Sequence, residues 1–293
     1  MAIRLLLSTP RTMRQVSVQS RSSSSALYVR AIHALVLTVL LAVAAPAGAQ
    51  ILETETARFP LPGHLEVGTG YEFQTSAAGT ERAIPIAVEL GVNDRFSLLV
   101  EPVLYTAIRP EGGPNATGLG DVEVTGTLLA VSEGVRRPAI ALAAEVKIPT
   151  ARNMYIGTTK TDYAGYLVAS KRLGRFDTHA NVGYTIVGQP AGTHLNNIVN
   201  GALAASFHAS PAILLFGELL ANTGATSDAE SIGTTRPSVL LPGTIITPEA
   251  ATGEVVGTLG IGRYVLPSAL LLLSVSYDNS NATLIRPGIT VSF

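Results

Sequence analysis

A chain of 293 residues with 47% apolar and only 14% charged residues lies well outside disordered composition, and its mean hydropathy of +0.35 is high for a protein whose whole surface meets water. Charged residues make up about a quarter of an ordinary soluble protein, so the shortfall points to a membrane or a very large core. The absence of cysteine excludes disulfides, thiol catalysis and thiolate-ligated metal.

In chain order, the first feature is the apolar run Ala31 to Ala45 (AIHALVLTVLLAVAA), preceded by Arg4, Arg11, Arg14, Arg21 and Arg30 and followed by Pro46-Ala-Gly-Ala-Gln50. A basic region, an apolar stretch short of the ~20 residues a spanning helix needs, and an A-x-A site together read as a signal peptide. The expected cleavage follows Ala49, with an uncleaved anchoring helix as the alternative; the basic region is long, and Met13 is an alternative start. Removing residues 1–49 takes five of the 20 basic residues and none of the 21 acidic ones, leaving a net charge of about −6. With no basic patch of interleaved aromatics, nucleic acid is not an expected partner.

No later stretch is long and apolar enough for a helical span. Instead Gly, Thr, Val and Ala abound, and period-2 alternation recurs between turn residues. Twelve strands are predicted, at 63–75, 82–92, 95–107, 117–131, 137–148, 162–173, 176–188, 194–208, 211–222, 251–265, 269–278 and 282–293. Strands of soluble proteins peak near ~5 to 6 residues, whereas a tilted membrane strand needs ~9 to 11, so these lengths favour a transmembrane barrel over a soluble exported β-sandwich. An even strand number suits a single-chain barrel with both ends on one side.

The connections alternate in length. Tight turns are predicted at Asn93-Asp94, Ser132 to Arg136, Gly174-Arg175, Ala209-Ser210 and Leu266 to Ser268. The other connections are Ser76 to Glu81, Ile108 to Ala116, Pro149 to Thr161, Gln189 to Thr193, Thr223 to Ala250 and Asn279 to Asn281, most of them longer. Short turns at one end and long loops at the other is the asymmetry of outer-membrane barrels. The chain ends ATLIRPGITVSF, and a final alternating strand stopping at Phe293 resembles the signal read by the barrel-assembly machinery. Pro287 cannot donate to a ladder and must sit at a bulge or an unpaired site.

In a barrel the apolar parity faces lipid and the polar parity the lumen. The expected lipid face holds Leu65, Val67, Tyr71 and Phe73; Ile84, Ile86, Val88 and Leu90; Phe96, Leu98, Val100 and Leu104; Ile140, Leu142, Val146 and Ile148. The expected lumen lining is Glu66, Glu72, Glu89, Arg95, Glu101, Asp121, Glu123, Glu145, Lys147, Asp177, His179, Asn181, Glu254 and Arg286. A basic group at the lipid-facing midplane costs roughly 2 to 4 kcal/mol, so a dozen charges on that face would exceed the stability of an ordinary fold. Arg263 falls on the apolar parity, but near a strand end where it can snorkel. Glu145 and Lys147 point inward two residues apart, as Asp121 and Glu123 do, and a hairpin about Ser132 to Arg136 sets Lys147 opposite or diagonal to Asp121 and Glu145 to Glu123. This lattice serves as internal ion pairing and equally as the charge filter of a pore, its acidic excess favouring cations or neutral solutes.

At GLGDVEVTGTLLA (118–130), EVKIPTA (145–151), GTTKTDY (157–163) and SKRLGRFDTHANVGYTIVG (170–188) the chain resembles the transporter-like family named for a MetA pathway of phenol degradation. The resemblance implies a Gram-negative outer-membrane barrel and a tie to aromatic degradation; it carries no functional residues across.

Candidate chemistry is sparse. Ser170, Asp177 and His179 lie on neighbouring strands and form the best nucleophilic constellation, but the G-x-S-x-G elbow is absent. His64, His179, His194 and His208 show no metal-ligand spacing. The sequence therefore predicts an all-β, twelve-stranded antiparallel barrel over residues 63–293, with residues 50–62 a periplasmic segment or a lumenal plug. It is expected to take up small solutes, hydrophobic or aromatic ones included, through a narrow lumen gated by the Pro149 to Thr161 and Thr223 to Ala250 loops. No catalytic residue, metal or cofactor is expected. The expected partners are outer-membrane lipid, lipopolysaccharide, the assembly machinery and the solute. A barrel hydrolase and a structural or adhesive barrel with a closed lumen are the alternatives.

Overall fold

The computed structural model describes residues 52–192, 194–225 and 253–293, with short pieces at 236–237 and 245–246. The expected signal peptide and most of the 223–250 loop lie outside the described residues. Every regular element among the described residues is a strand.

In chain order these are β1 (Leu65–Gly70), β2 (Glu72–Ser76), β3 (Gly79–Asn93), β4 (Phe96–Pro110), β5 (Ala116–Gly118), β6 (Val122–Val131), β7 (Ala139–Ile148), β8 (Asp162–Leu173), β9 (Phe176–Ile186), β10 (Ile198–Ser210), β11 (Ile213–Asn222), β12 (Arg236–Pro237), β13 (Ile245–Ile246), β14 (Glu254–Leu266), β15 (Ala269–Asp278) and β16 (Thr283–Ser292). β12 and β13 pair only with each other. The remaining strands pair antiparallel with their neighbours, and β16 returns to pair with β1 and β2. Since β1 with β2, and β5 with β6, each make one stave, the sheet closes as a barrel of twelve staves. Closure leaves no open edge, as a membrane-spanning sheet requires.

The break between β1 and β2 has a cause in the partner strand. Pro287 of β16 has no N–H to give, so pairing with β1 stops at Gly288 and resumes with β2 at Ile285. Tyr71 fills the gap, its N–H donating to the Pro287 carbonyl at 3.0 Å. Leu65 and Phe293 then exchange backbone hydrogen bonds at 3.2 and 2.8 Å, sealing the seam at the chain end.

The tight turns gather at one end: Asp94-Arg95, residues 132–138, Gly174-Arg175, Pro211-Ala212 and Pro267-Ser268. The connections at the other end run to 149–161, 187–197 and 223–253, but the first is a two-residue turn at Ala77-Ala78, not the predicted loop from Ser76 to Glu81. β2 and β3 pair through to Ser76 and Gly79, because the alternation of Thr75, Ser76, Thr80 and Glu81 is all polar and carries no apolar signal to mark the strand. Outward positions carry exposed Leu142, Leu167, Val182, Tyr184, Leu203, Leu259 and Tyr277, whereas Glu66, Glu123, Lys147, Asp177, His179 and Glu254 on the opposite parity are buried. In water such an exposed apolar belt would be a liability; against acyl chains it is the required surface. Arg263 is exposed on the outer face near the short-turn end.

Candidate functional site

The lumen is occupied by residues 52–62, which enter at the short-turn end and climb to mid-height. Gly91 permits the entrance: a Cβ there would lie 2.3 Å from the Pro60 carbonyl oxygen, so the backbone passes only because that position has no side chain. Arg58 then forks onto Asp177, with Nη2 to Oδ1 at 2.8 Å and Nε to Oδ2 at 3.1 Å, while its Nη1 meets Glu133 at 2.7 Å. Arg172 also holds Asp177 at 3.0 Å, and Lys171 holds Glu133 at 3.0 Å. The small burial of Glu133 works to raise its pKa, but Lys171, the Arg172 N–H and Arg58 outweigh it and hold the carboxyl down at about 2. Burial works likewise against the Arg58 charge, and the Asp177 and Glu133 carboxylates more than restore it, so its pKa is raised.

Above this latch Ala57 packs among Ala139, Ala141, Ala143, Tyr166 and Val168, and its N–H donates to Ser170 Oγ at 2.9 Å. Thr54 gives both its N–H and its hydroxyl to Glu218 Oε1 at 2.6 Å. Glu53 pairs with Arg286, which also holds Glu72 at 2.7 Å. Leu52 packs against Ala204, Phe216 and Leu272. Four polar wall contacts, at Arg58, Ala57, Thr54 and Glu53, therefore seat the segment across the barrel, from β8 and β9 to β11 and β16.

Beside it, a cavity of about 40 Å³ is lined by Glu53, Glu55, Glu101, Glu123, Glu145, Tyr166, Asn181 and Asn200. Tyr166 lies over Gly183, where a Cβ would sit 2.4 Å from its ring, and its hydroxyl donates to Glu145 Oε2 at 3.2 Å. A second cavity of about 90 Å³ lies beyond Leu52 and Glu53, between Glu72, Glu101, Phe216 and Arg286. A buried water needs roughly 10 to 15 Å³ of such space, so the smaller gap admits a few waters and the larger one several. Glu55 has no hydrogen bond or ion pair among the described residues; burial first, then the charges of Glu145 and Glu89, raise its pKa to about 8.

Most of the predicted lining sits inside. Glu101, Glu123, Glu145 and Asn181 converge on the smaller cavity. Glu66 pairs across strands with Glu89 and accepts from Ser292 Oγ at 3.1 Å. Asp177 and His179 face the segment at the short-turn end, and Glu254, held by Asn222 Nδ2 at 3.4 Å, faces the long-loop end. Arg95 is the exception: it lies exposed in the tight turn, because β3 continues to Asn93 and moves the turn one residue along. In the β6–β7 register Lys147 stands opposite Glu123 and Glu145 opposite Thr125, so the two expected pairs, Lys147 with Asp121 and Glu145 with Glu123, are diagonal ones. Lys147 pairs with Asp162 and reaches Asp121 at only 4.0 Å.

The lumen also holds residues the sequence did not single out: Glu53, Glu55 and Arg58 on the segment, Glu81, Asp162 and Glu218 on the wall. Glu218 interrupts an apolar run from Ala212 to Ala221, which is the signal that finds it, and Glu81 falls within the predicted Ser76 to Glu81 connection. The three segment residues belong to no strand, so no periodicity reports their direction.

Ser170, His179 and Asp177 do meet. Ser170 Oγ lies 2.9 Å from His179 Nδ1, but His179 Nε2 is 4.0 Å from Asp177, whose oxygens are taken by Arg58 and Arg172. Ser170 is 1% exposed and lies under Ala57. The constellation holds the segment. The predicted gating loop is held too: Ala151 N–H donates to Asp121 Oδ1 at 2.9 Å, Thr150 Oγ1 to the Gly120 carbonyl at 2.8 Å, and Ile156 is buried with Ile108, Ala116 and Ala151.

No family model matches the chain, and no curated protein matches it. The resemblance to the phenol-degradation family therefore rests on the quoted motifs alone. Among solved structures, the chain is similar to the COG4313 outer-membrane channel from Pseudomonas putida F1, with TM-score 0.57 and 11% identity over 82% of this chain and 98% of that one. It is also similar to the NanC porin, with TM-score 0.51 and 10% identity over 78% of this chain and 98% of that one. These likenesses establish that the chain has the fold of an outer-membrane channel barrel.

Proposed function

We propose that this protein is an outer-membrane channel through which small solutes pass passively, with residues 50–62 as its plug. The observation that carries this reading is a non-strand segment seated in the lumen through polar contacts with the wall. A channel has reason to keep its interior polar and separable; a purely structural barrel gains more from a fused apolar core. The carboxylates, Tyr166 and Asn amides at the constriction suit cationic or neutral polar solutes, and an aromatic solute has the Tyr166 ring to slide against. The export signal, the lipid and lipopolysaccharide around the apolar belt, and recognition of the strand ending at Phe293 by the assembly machinery complete the proposal.

The second reading, a closed structural barrel, is favoured by the four wall contacts of the segment. Planar-bilayer conductance separates the two, measured on the mature protein and on a variant lacking residues 50–62. The channel reading expects steps from the shortened protein and smaller or rarer ones from the complete one. Silence from a shortened protein that still migrates as a folded barrel would leave the closed reading.

A further inference from the structure

The segment in the lumen is not held uniformly. Glu53 meets Arg286, Thr54 meets Glu218, Ala57 meets Ser170 and Arg58 meets Asp177 and Glu133. Thr56 bonds only within the segment, through the Arg58 N–H at 3.2 Å. Glu55 alone in this run brings a carboxyl group into the cavity with no partner among the described residues.

The groups around it are of its own sign. Glu89 of β3, Glu101 of β4, Glu123 of β6 and Glu145 of β7 face it, with the Tyr166 hydroxyl of β8 and Glu53 of its own segment. β9 and β10 add only the neutral amides of Asn181 and Asn200. The cations within the barrel are committed elsewhere: Lys147 to Asp162, Arg286 to Glu53 and Glu72, Arg58 to Asp177 and Glu133. Several carboxylates crowded around one small cavity cannot all ionise without a counterion.

We propose that Glu55 makes the N-terminal segment a proton-operated plug, seated when Glu55 is protonated and expelled from the constriction when it ionises. The proposal rests on the channel reading for its purpose, though not for its test. The sign follows from the burial of the site. Seated, Glu55 keeps its proton to about pH 8; released into water it loses it at the ordinary ~4.3. The seated state thus binds more protons between these values, so seating is strongest below the ordinary carboxylate range and weakens as pH rises through the window. The loss is up to about tenfold per pH unit for one proton. The Arg58 latch does not oppose this with a titration of its own there, since Glu133 stays ionised above about pH 2. Release is therefore set at Glu55, while the latch keeps the segment tethered near the mouth.

A nitroxide at Thr56→Cys in the mature protein tests this, the chain having no other cysteine. The side chain at this position bonds only within the segment, so the label reports seating without breaking a wall contact. The expected result is an immobile spectrum near pH 6 and a mobile fraction at least about tenfold larger near pH 9. With Glu55→Gln, which imitates the protonated acid, the label stays immobile at both. An immobile label at both pH values in the Glu55 protein, or an unchanged pH response with Glu55→Gln, would overturn the proposal. Bilayer conductance read alongside keeps the two ideas apart. A label that responds over a silent bilayer sinks the channel and spares the switch; steps that do not vary with pH over an immobile label do the reverse.

Discussion

Two points three residues apart on the same segment face opposite electrostatic surroundings. Arg58 meets groups of opposite sign, Asp177 and Glu133, each of which also holds one cation of the wall, Arg172 and Lys171. Glu55 enters a ring of carboxylates that already has too many. A peptide in a barrel can thus be fixed at one point and poised at another, and the difference lies in which wall residues each side chain meets, not in the segment's own sequence.

The comparison can be broken most completely by deleting residues 50–62. Conductance is expected to rise far above that of the complete protein and to lose its pH dependence, while unboiled and boiled samples still migrate differently in detergent electrophoresis. Next in size is Arg58→Ala, which removes three charge-assisted contacts, each worth about 1.5 to 3 kcal/mol before compensation, and leaves Asp177 with Arg172 alone. The mobile fraction of the Thr56 label should rise tenfold or more at neutral pH. Because Glu133 is held at about 2, its bridge to Arg58 is present above the ordinary carboxylate range and is lost only as pH falls through about 2. The wild-type latch should therefore survive acidification to about pH 4, seen as an unchanged label spectrum.

A smaller effect is expected of Gly91→Val at the neck, where a Cβ would press on the Pro60 and Leu61 carbonyls at 2.3 and 2.5 Å. It should shift the segment without touching either charged ring, measurable as higher basal conductance with the pH response retained. Smallest is Ser170→Ala, which removes one acceptor from the Ala57 N–H, worth about 1 kcal/mol. A roughly fivefold rise in the mobile fraction is expected; a loss of esterase activity in this variant would instead revive the nucleophilic reading of Ser170 and His179.

Much of this was legible before any coordinates. Strand β9 shows why: from Phe176 to Ile186 the faces alternate, so a period of two fixes which side chains share a face, and the other strands together fix which face meets lipid. Arg95 shows where that reading slips. It lies at a turn, where one residue of uncertainty in a boundary moves a side chain out of the lumen. Glu81 was missed for a related reason, since a strand end made of polar residues on both faces has no pattern to read.

The sequence by itself determined the closed all-β barrel, the inward direction of the wall charges and the need for a break at Pro287, because these follow from chain-local periodicity and from the missing N–H of proline. Only the tertiary structure decided what those charges face. Residues 52–62 carry no period, and their path depends on a gap at Gly91, the carboxylates Asp177 and Glu133, and an acid-rich ring at Glu145, contributed by parts of the chain far apart in sequence. Whether a glutamate is a lining residue or the trigger of a plug is set by its neighbours in space, which the order of residues along the chain does not disclose.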